Sequence, residues 1–330
     1  MQFSAWINRG RFLWIWLGVA LLAGSSAGAD NPYRETTDRE GWWIFGRPPA
    51  KATPSEQMVY AQSLEKAGRP RAAAKQYLKL VRHWPQAPEA APAQLQYARW
   101  FEDRRKWSRA FDEYQRLFDN YAGTFPYEAI LDRQFTIATN LMNRKKGKFL
   151  FFHGFTAPER AIPLLEKIVL NGPGWKHAAE AQYLIGRAHE LNQEYEEAIA
   201  AYITAEHRYP ATPWAPQAAF GNAWSYYQLA LESKHNEQAL ENAWAAWTVL
   251  LQRYPDHPRQ KEAVQYRDDM LARRARLVFD RAVFYDRIAK RPESARIGYE
   301  SFLKQFPNAA EAPRARERLQ ALAPKEEKGT

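Results

Sequence analysis

Cysteine is absent from the sequence, and only 16 of its 330 residues are glycine. Without cysteine the chain can form no disulfide, no thiolate metal site and no thiol nucleophile. The scarcity of glycine argues against a glycine-rich phosphate-binding loop, and the sequence has neither a nucleotide-binding motif nor the nucleophile-elbow motif of serine hydrolases. The seven histidines are scattered, and none has the spacing of a zinc-binding pair. We therefore expect no catalytic residue, no cofactor and no bound metal, and we predict that the protein is not an enzyme.

Aromatic residues, by contrast, are abundant: the chain has 13 tryptophans, 17 tyrosines and 17 phenylalanines. This content, together with 46% hydrophobic and 25% charged residues, is typical of a folded protein and argues against disorder. The formal net charge is +10, which favours anionic partners such as a membrane surface, nucleic acid or the acidic face of a protein. A basic surface that contacts only solvent is the alternative.

The first 29 residues have the three parts of an export signal. Arg9 and Arg11 make the start of the chain positive, residues 12–22 form an apolar run, and small residues precede a cleavage point between Ala29 and Asp30. The run is shorter than the roughly 20 residues that a membrane-spanning helix needs. We therefore expect export with cleavage of the signal, the alternative being an uncleaved anchor. We also expect no nucleic-acid partner.

A spacing of alanine, a large residue and proline recurs along the chain. Ala198 lies twelve residues and Tyr202 eight residues before Pro210. Alanine and the residue four positions later share one face of a helix, so a neighbouring helix can approach the alanine while the large side chain fills the space beside it. Proline then ends the helix. The five further copies end at Pro85, Pro173, Pro255, Pro307 and, with alanine in the place of proline, Ala122.

This spacing predicts helical hairpins, each closed by an aromatic residue and proline. Two of the intervals between equivalent alanines are 37 residues, close to the roughly 34-residue period of tetratricopeptide repeats. The pattern resembles that family, which implies an all-α, right-handed solenoid of about five to six helical hairpins. We predict the helical-repeat domain at 54–321 with an insertion loop at 144–157, a signal peptide at 1–29, an extended aromatic and proline-rich segment at 30–53 and a disordered tail at 322–330.

Stacked hairpins of this kind form a concave groove, lined by the first helix of each pair, that can hold an extended or helical peptide. The register of the alanines and prolines places seven residues on this groove: Met58, Gln62, Leu95, Arg99, Glu102, Phe135 and Thr139. Ordinary packing between hairpins, or exposure to solvent, is the alternative for each of them.

Three further segments are candidate docking sites for a partner. An aromatic cluster precedes the helices, a basic and aromatic stretch interrupts the third hairpin, and arginines cluster on a long helix near the end of the array. The alternatives are a segment folded back as a cap on the first hairpin, a loop packed on the solenoid and a solvated helix face. The residues are, in that order, Trp42 and Trp43, Phe151 and Phe152, and Arg273, Arg274 and Arg276.

Two stretches carry a further resemblance. They are AAAKQYLKLVRHWPQAPEAAPAQLQYARWFEDRRKWSRAFDEYQRLFDNYAGTFPYEAILDRQFTIATNLM near the start of the array and ARLVFDRAVFYDRIAKRPESARIGYESFLKQFPNAAEAPRARERL near its end. Through them residues 55–320 resemble the family of the outer-membrane assembly factor BamD. It implies a non-catalytic periplasmic scaffold in the assembly of outer-membrane β-barrel proteins. The implied partners are proteins of the assembly machinery and unfolded barrel substrates.

One difference from that family concerns attachment to the membrane. The family carries a lipidated cysteine, whereas this sequence has Ser25 in the corresponding box. The resemblance therefore implies a periplasmic protein that associates with the outer membrane through protein contacts, or through peripheral contact with the membrane. The alternative function is that of another exported tetratricopeptide adaptor, serving cell-envelope division or polysaccharide secretion.

Overall fold

The computed structural model describes residues 48–143, 157–233 and 235–323. Within these ranges the chain forms thirteen α-helices and no β-strand. None of these helices is both long enough and apolar enough to span a membrane. Consecutive helices pair into six hairpins, and a single helix follows the last pair, which confirms the predicted all-helical array of hairpins. The helices are α1 (Pro54–Lys66), α2 (Pro70–His83), α3 (Ala90–Asp103), α4 (Trp107–Asn120), α5 (Tyr127–Asn143), α6 (Ile162–Asn171), α7 (Ala178–Leu191), α8 (Tyr195–Arg208), α9 (Trp214–Glu232), α10 (Glu237–Arg253), α11 (Gln260–Val283), α12 (Pro292–Gln305) and α13 (Ala312–Ala321).

Several parts of the predicted domain organisation lie outside the described residues. These are the signal peptide, residues 30–47 of the extended segment, residues 144–156 of the insertion loop and residues 324–330 of the tail. Their boundaries stay predictions.

The second helix of each hairpin ends in the same way. The residue that follows the helix has φ between −127° and −134°, and its N–H donates to the carbonyl four residues earlier. Five of these six residues are aromatic, which fits the predicted closing role of the aromatic residue. The exception is Gly172, where a side chain would lie 2.5 Å from Cδ1 of Leu131. The six residues are Trp84, Tyr121, Gly172, Tyr209, Tyr254 and Phe306.

The alanine and the large residue of each repeat are buried together, as the spacing predicted. All twelve side chains are at most 2% exposed. Burial of each large side chain contributes about 1.5–3 kcal/mol to stability, so these pairs form the centre of every hairpin. The pairs are Ala73 with Tyr77, Ala110 with Tyr114, Ala161 with Leu165, Ala198 with Tyr202, Ala243 with Trp247, and Ala295 with Tyr299.

The tyrosines of these pairs also make a polar contact that recurs along the array. The hydroxyl of Tyr77 donates to Glu65 at 2.8 Å, and that of Tyr202 donates to Glu190 at 2.6 Å. In each case the carboxylate lies twelve residues before the tyrosine, near the end of the first helix of the same hairpin. Tyr114 donates to its carboxylate in the same way. A buried hydroxyl is thus satisfied, and the two helices of the hairpin are joined at one end.

The last hairpin keeps this contact despite one extra residue. Tyr299 donates to Oδ2 of Asp286 at 3.1 Å, although Asp286 lies thirteen residues earlier instead of twelve. Helix α11 continues into a π-helical turn, Phe284–Ile288, and a π turn accommodates one more residue than an α-helical turn. We infer that this turn restores the alignment of the carboxylate with the tyrosine. Arg318 of α13 donates to both carboxylate oxygens, at 2.8 and 3.0 Å.

Because of these tyrosines, we expect the stability of the array to fall at alkaline pH. Burial, reinforced by the hydrogen bond to Asp286, raises the pKa of Tyr299 to about 12. Burial likewise raises the pKa of Tyr77, Tyr114 and Tyr202 above the usual value of about 10. Because the folded state holds these protons more tightly than the unfolded state, their contribution to stability is complete below about pH 10 and is lost as the pH rises through the folded-state pKa values.

We therefore expect the free energy of unfolding to fall between about pH 10 and pH 12, and to fall less steeply in Tyr299→Phe. Urea titration followed by circular dichroism at a series of pH values measures both slopes. Equal slopes in the variant and the wild type would contradict the assignment.

Short turns connect the two helices of the hairpins and set their directions. Three residues separate α1 from α2, α3 from α4 and α7 from α8. Connections this short make neighbouring helices antiparallel. The turns within hairpins therefore lie at one end of the helices, the turn edge, formed by residues 67–69, 104–106, 192–194, 233, 235–236 and 289–291. The links between hairpins lie at the other end, the link edge, formed by residues 84–89, 121–126, 172–177, 209–213, 254–259 and 306–311.

Candidate protein-binding surface

The first helices of hairpins four to six lie side by side. Helix α9 contacts both α7 and α11, and the three helices together form what we call the first-helix face. Helix α9 has no charged side chain from Trp214 to Leu231. The centre of this face is therefore uncharged, whereas α7 and α11 carry charged residues on either side of it.

Two groups of half-buried aromatic rings bridge these helices, ten residues apart along α9. The rings of Tyr183 and Trp214 lie 5.1 Å apart, which joins α7 to α9. Trp224 stacks on Tyr227 at 5.5 Å with an interplanar angle of 15°, and the ring of Tyr266 on α11 lies 4.9 Å from that of Tyr227. All five rings keep part of their surface exposed. We call these five residues the aromatic row.

Ion pairs flank the aromatic row. Arg259 donates to both carboxylate oxygens of Glu262, at 3.1 and 2.7 Å, and its guanidinium lies 3.9 Å from the ring centroid of Phe220. Arg273 donates to Asp269 at 2.9 Å, and the same carboxylate accepts a hydrogen bond of 3.1 Å from Tyr227. These pairs hold the charged side chains beside the rings and leave polar groups at the rim.

On the other side, Arg187 pairs with Glu190 of α7. Burial raises the pKa of Tyr183 above the usual value of about 10, and its protonated hydroxyl can donate a hydrogen bond. An uncharged aromatic surface with a charged rim is the composition of protein interfaces. Among the described residues no three His, Asp or Glu side chains are grouped as ligands for a metal ion.

Three of the predicted groove residues are apolar, and the structure packs them partly into the core. Met58, Leu95 and Phe135 are half-buried against the core of their hairpins. The ring of Phe135 also meets Trp175 at 5.5 Å and stacks on His177 at 5.6 Å. These residues belong to hairpins one to three and do not join the aromatic row.

The four predicted groove residues with polar side chains differ in their surroundings. Glu102 accepts hydrogen bonds from Tyr114 and, at 2.9 Å, from Arg133, so its carboxylate joins hairpins two and three. The hydroxyl of Thr139 donates to the backbone of its own helix. Arg99 is half-buried, and Gln62 is exposed.

The three predicted docking arginines do not form one exposed cluster, which corrects the sequence-based picture. The side chain of Arg274 is only 16% exposed, pairs with Glu241 at 3.3 Å and lies over the ring of Phe306. It packs between hairpins because its position on α11 faces α10 and α12. Arg273 and Arg276 are exposed, but each pairs with an aspartate of its own helix.

The other predicted sites lie outside the described residues. They are Trp42, Trp43, Phe151, Phe152 and the cleavage point between Ala29 and Asp30.

The aromatic row was not predicted from the sequence, although the spacing of aromatic residues on α9 indicates part of it. Phe220, Trp224 and Tyr227 recur at positions i, i+4 and i+7, which places three aromatic rings on one face of α9. The contributions of Tyr183 and Tyr266 come from other hairpins and have no local signal.

Comparison with known proteins identifies the repeat type. Residues 180–212 match the family model TPR_6, described as a tetratricopeptide repeat. This range covers most of α7 and all of α8, the fourth hairpin. The tetratricopeptide type predicted from the alanine, aromatic and proline spacing is therefore confirmed for this hairpin. The match does not bear on the resemblance to the BamD family.

Solved structures of tetratricopeptide proteins also align with the chain, whereas no curated protein matches it. A thermophilic TPR protein of Thermus thermophilus is 19% identical, with 66% of this chain and 100% of that chain covered and a TM-score of 0.28. YrrB, described as a TPR protein with an unusual peptide-binding site, is 14% identical, with 72% and 100% covered and a TM-score of 0.33. A tetratricopeptide protein of Parabacteroides merdae is 13% identical, with 82% and 98% covered and a TM-score of 0.30.

Proposed function

We propose that this tetratricopeptide-repeat protein is a non-catalytic scaffold that binds a segment of a partner protein on the aromatic row. The observation that carries the proposal is the pair of half-buried ring groups that bridge three neighbouring first helices, Tyr183 with Trp214 and Trp224 with Tyr227 and Tyr266. Repeat arrays bind partners along such extended surfaces. Tryptophan, tyrosine and arginine are also the residues that contribute most to the affinity of protein interfaces.

The setting that we propose is the assembly of outer-membrane β-barrel proteins in the periplasm. Two features of the sequence support it: the export signal in residues 1–29 and the resemblance of residues 55–320 to the BamD family. The proposed partners are proteins of the assembly machinery and unfolded barrel substrates. Association with the outer membrane would then rest on these protein contacts or on peripheral contact with the membrane.

Photo-cross-linking in the native cells tests both parts of the proposal. A benzophenone amino acid replaces Tyr183 or Tyr227 in the aromatic row, and each substitution keeps a large aromatic side chain at the site. Matched control positions are Ile203 on α8 and Val249 on α10, which are exposed on second helices. Adducts are purified after irradiation and identified by mass spectrometry.

We expect protein adducts from Tyr183 and Tyr227 in excess over the two control positions. A barrel protein with periplasmic domains among them would support the assembly role. Adducts with division or polysaccharide-secretion proteins alone would overturn that role and keep the binding surface. Equal labelling from all four positions would overturn the surface itself.

A further inference from the structure

The two edges of the array differ in charge. Among its described residues the turn edge has six basic residues and a single acidic one, Glu194, which is hydrogen-bonded to His189 at 2.8 Å. The link edge is longer and has two lysine or arginine residues, Lys176 and Arg259, and three acidic residues, Glu89, Asp256 and Glu311. The six basic residues of the turn edge are Arg69, Arg104, Arg105, Lys106, Lys290 and Arg291.

The basic side chains of the turn edge are available for a partner. All six residues are exposed, although the guanidinium of Arg104 also lies over the ring of Trp100, 4.6 Å from its centroid. Among the described residues, none of them forms an ion pair with a carboxylate, whereas many arginines elsewhere in the array do. Two carboxylates beside these turns, Glu65 and Glu102, accept hydrogen bonds from buried tyrosines, whereas Asp103 is exposed next to Arg104.

Two of these basic residues have backbone conformations that favour glycine. Arg105 has φ of 53° and Lys290 has φ of 51°, whereas the equivalent position of the first hairpin is Gly68, with φ of 67°. A long side chain in this left-handed region is unfavourable relative to glycine. The fourth hairpin has the uncharged Gln193 at this position, with φ of 63°, so the backbone of the turn requires neither glycine nor a basic residue.

The turn of the sixth hairpin adds exposed apolar side chains to the basic ones. Phe284 is 48% exposed and Ile288 is 70% exposed, and both belong to the π-helical turn that precedes Lys290 and Arg291. In the fourth hairpin, Leu191 is 49% exposed beside the equivalent turn. Segments that insert at a membrane interface combine apolar and basic side chains in this way.

We propose that the turn edge binds the surface of an anionic lipid bilayer, with Phe284 and Ile288 inserted at the interface. The basic residues are distributed over separate turns and do not line a pocket. Mobile anionic headgroups can meet each turn without a fixed complementary shape, whereas an acidic protein would need a matched continuous surface. This contact is distinct from the aromatic row and does not depend on the proposed function.

Vesicle sedimentation with the purified protein tests this proposal. Vesicles of phosphatidylcholine with about 30% phosphatidylglycerol are compared with vesicles of phosphatidylcholine alone, since anionic lipid supplies the attraction. The edge variant combines Arg105→Gly, Lys106→Gln, Lys290→Gly and Arg291→Gln, and glycine suits the backbone at two of these positions. A control variant removes the same number of charges from exposed lysines on helices: Lys75→Gln, Lys167→Gln, Lys261→Gln and Lys304→Gln. Ile288→Ser removes an apolar contact without changing the charge.

We expect the wild type and the control variant to bind the anionic vesicles, and the edge variant, which lacks four charges, to bind at least about tenfold more weakly. Binding should decrease as added salt shortens the screening length below about 10 Å. Ile288→Ser should also reduce binding. Equal binding to both kinds of vesicle, or an equal loss in the edge and control variants, would overturn the proposal. Because no partner protein is present, the result is independent of the cross-linking experiment.

Discussion

Replacing Trp224 and Tyr227 together by alanine is expected to abolish most of the cross-linking from Tyr183 of the aromatic row. The two rings stack on each other on α9, and Tyr227 also contacts Tyr266 of α11. Aromatic residues at the centre of an interface typically contribute about 2 kcal/mol or more each, which corresponds to roughly a 30-fold change in the dissociation constant. The yield of adducts, measured with the benzophenone amino acid at Tyr183, should therefore fall to near the level of the control positions.

The matched control for this change is Trp244→Ala. Trp244 is also a half-buried tryptophan, but it lies on α10, the second helix of the same hairpin. Circular dichroism and the unfolding temperature establish that each variant is folded. A folded double variant with undiminished adducts from Tyr183 would show that the aromatic row does not bind the partner.

Replacing Gly221 by alanine is expected to destabilise the array, although the helix propensity of alanine is about 1 kcal/mol more favourable than that of glycine. A Cβ atom at Gly221 would lie 2.4 Å from Cζ of Tyr202, and one at Gly186 would lie 2.6 Å from Cδ1 of the same ring. The ring thus occupies a slot between two glycines, one from its own hairpin and one from the next. Because Tyr202 is wholly buried, it cannot move away from the added group. We expect Gly221→Ala to lower the free energy of unfolding by about 2–3 kcal/mol, measured by urea titration.

Gly174→Ala is the control for this substitution, because no atom lies within 4 Å of a Cβ at that position. It should change stability by less than about 0.5 kcal/mol. Adding Tyr202→Leu to Gly221→Ala removes the ring from the slot, so the two changes together should cost less than the sum of their separate effects. Additive effects, or a stabilised Gly221→Ala, would contradict the described packing of the fourth hairpin on the fifth.

Less of the candidate site than of the fold could be predicted from the sequence. The predicted groove residues were assigned by register from single hairpins, and register places Glu102 on a first helix without showing that Tyr114 and Arg133 bind its carboxylate. Arg274 is a similar case, since its ion pair with Glu241 joins residues 33 positions apart. A charged residue on a helix has the same local pattern whether it faces solvent or a neighbouring hairpin.

The sequence by itself determined the repeating unit of this protein. Ala198, Tyr202 and Pro210 lie within one helix and its end, so the burial of the first two and the helix end at Tyr209 follow from helical periodicity and from the geometry of proline. The same local rules specify the other hairpins. They require only residues that are close in sequence, which is why the array could be predicted.

The tertiary structure alone decided which side chains meet between hairpins. Tyr183 contacts Trp214, and Trp224 contacts Tyr266, because the angle at which hairpins stack brings α7, α9 and α11 together. That angle depends on how each side chain fits its neighbour, as in the slot where Gly221 receives the ring of Tyr202. These contacts join residues 19 to 42 positions apart in the chain. Their geometry is a property of the packed array and not of any single repeat.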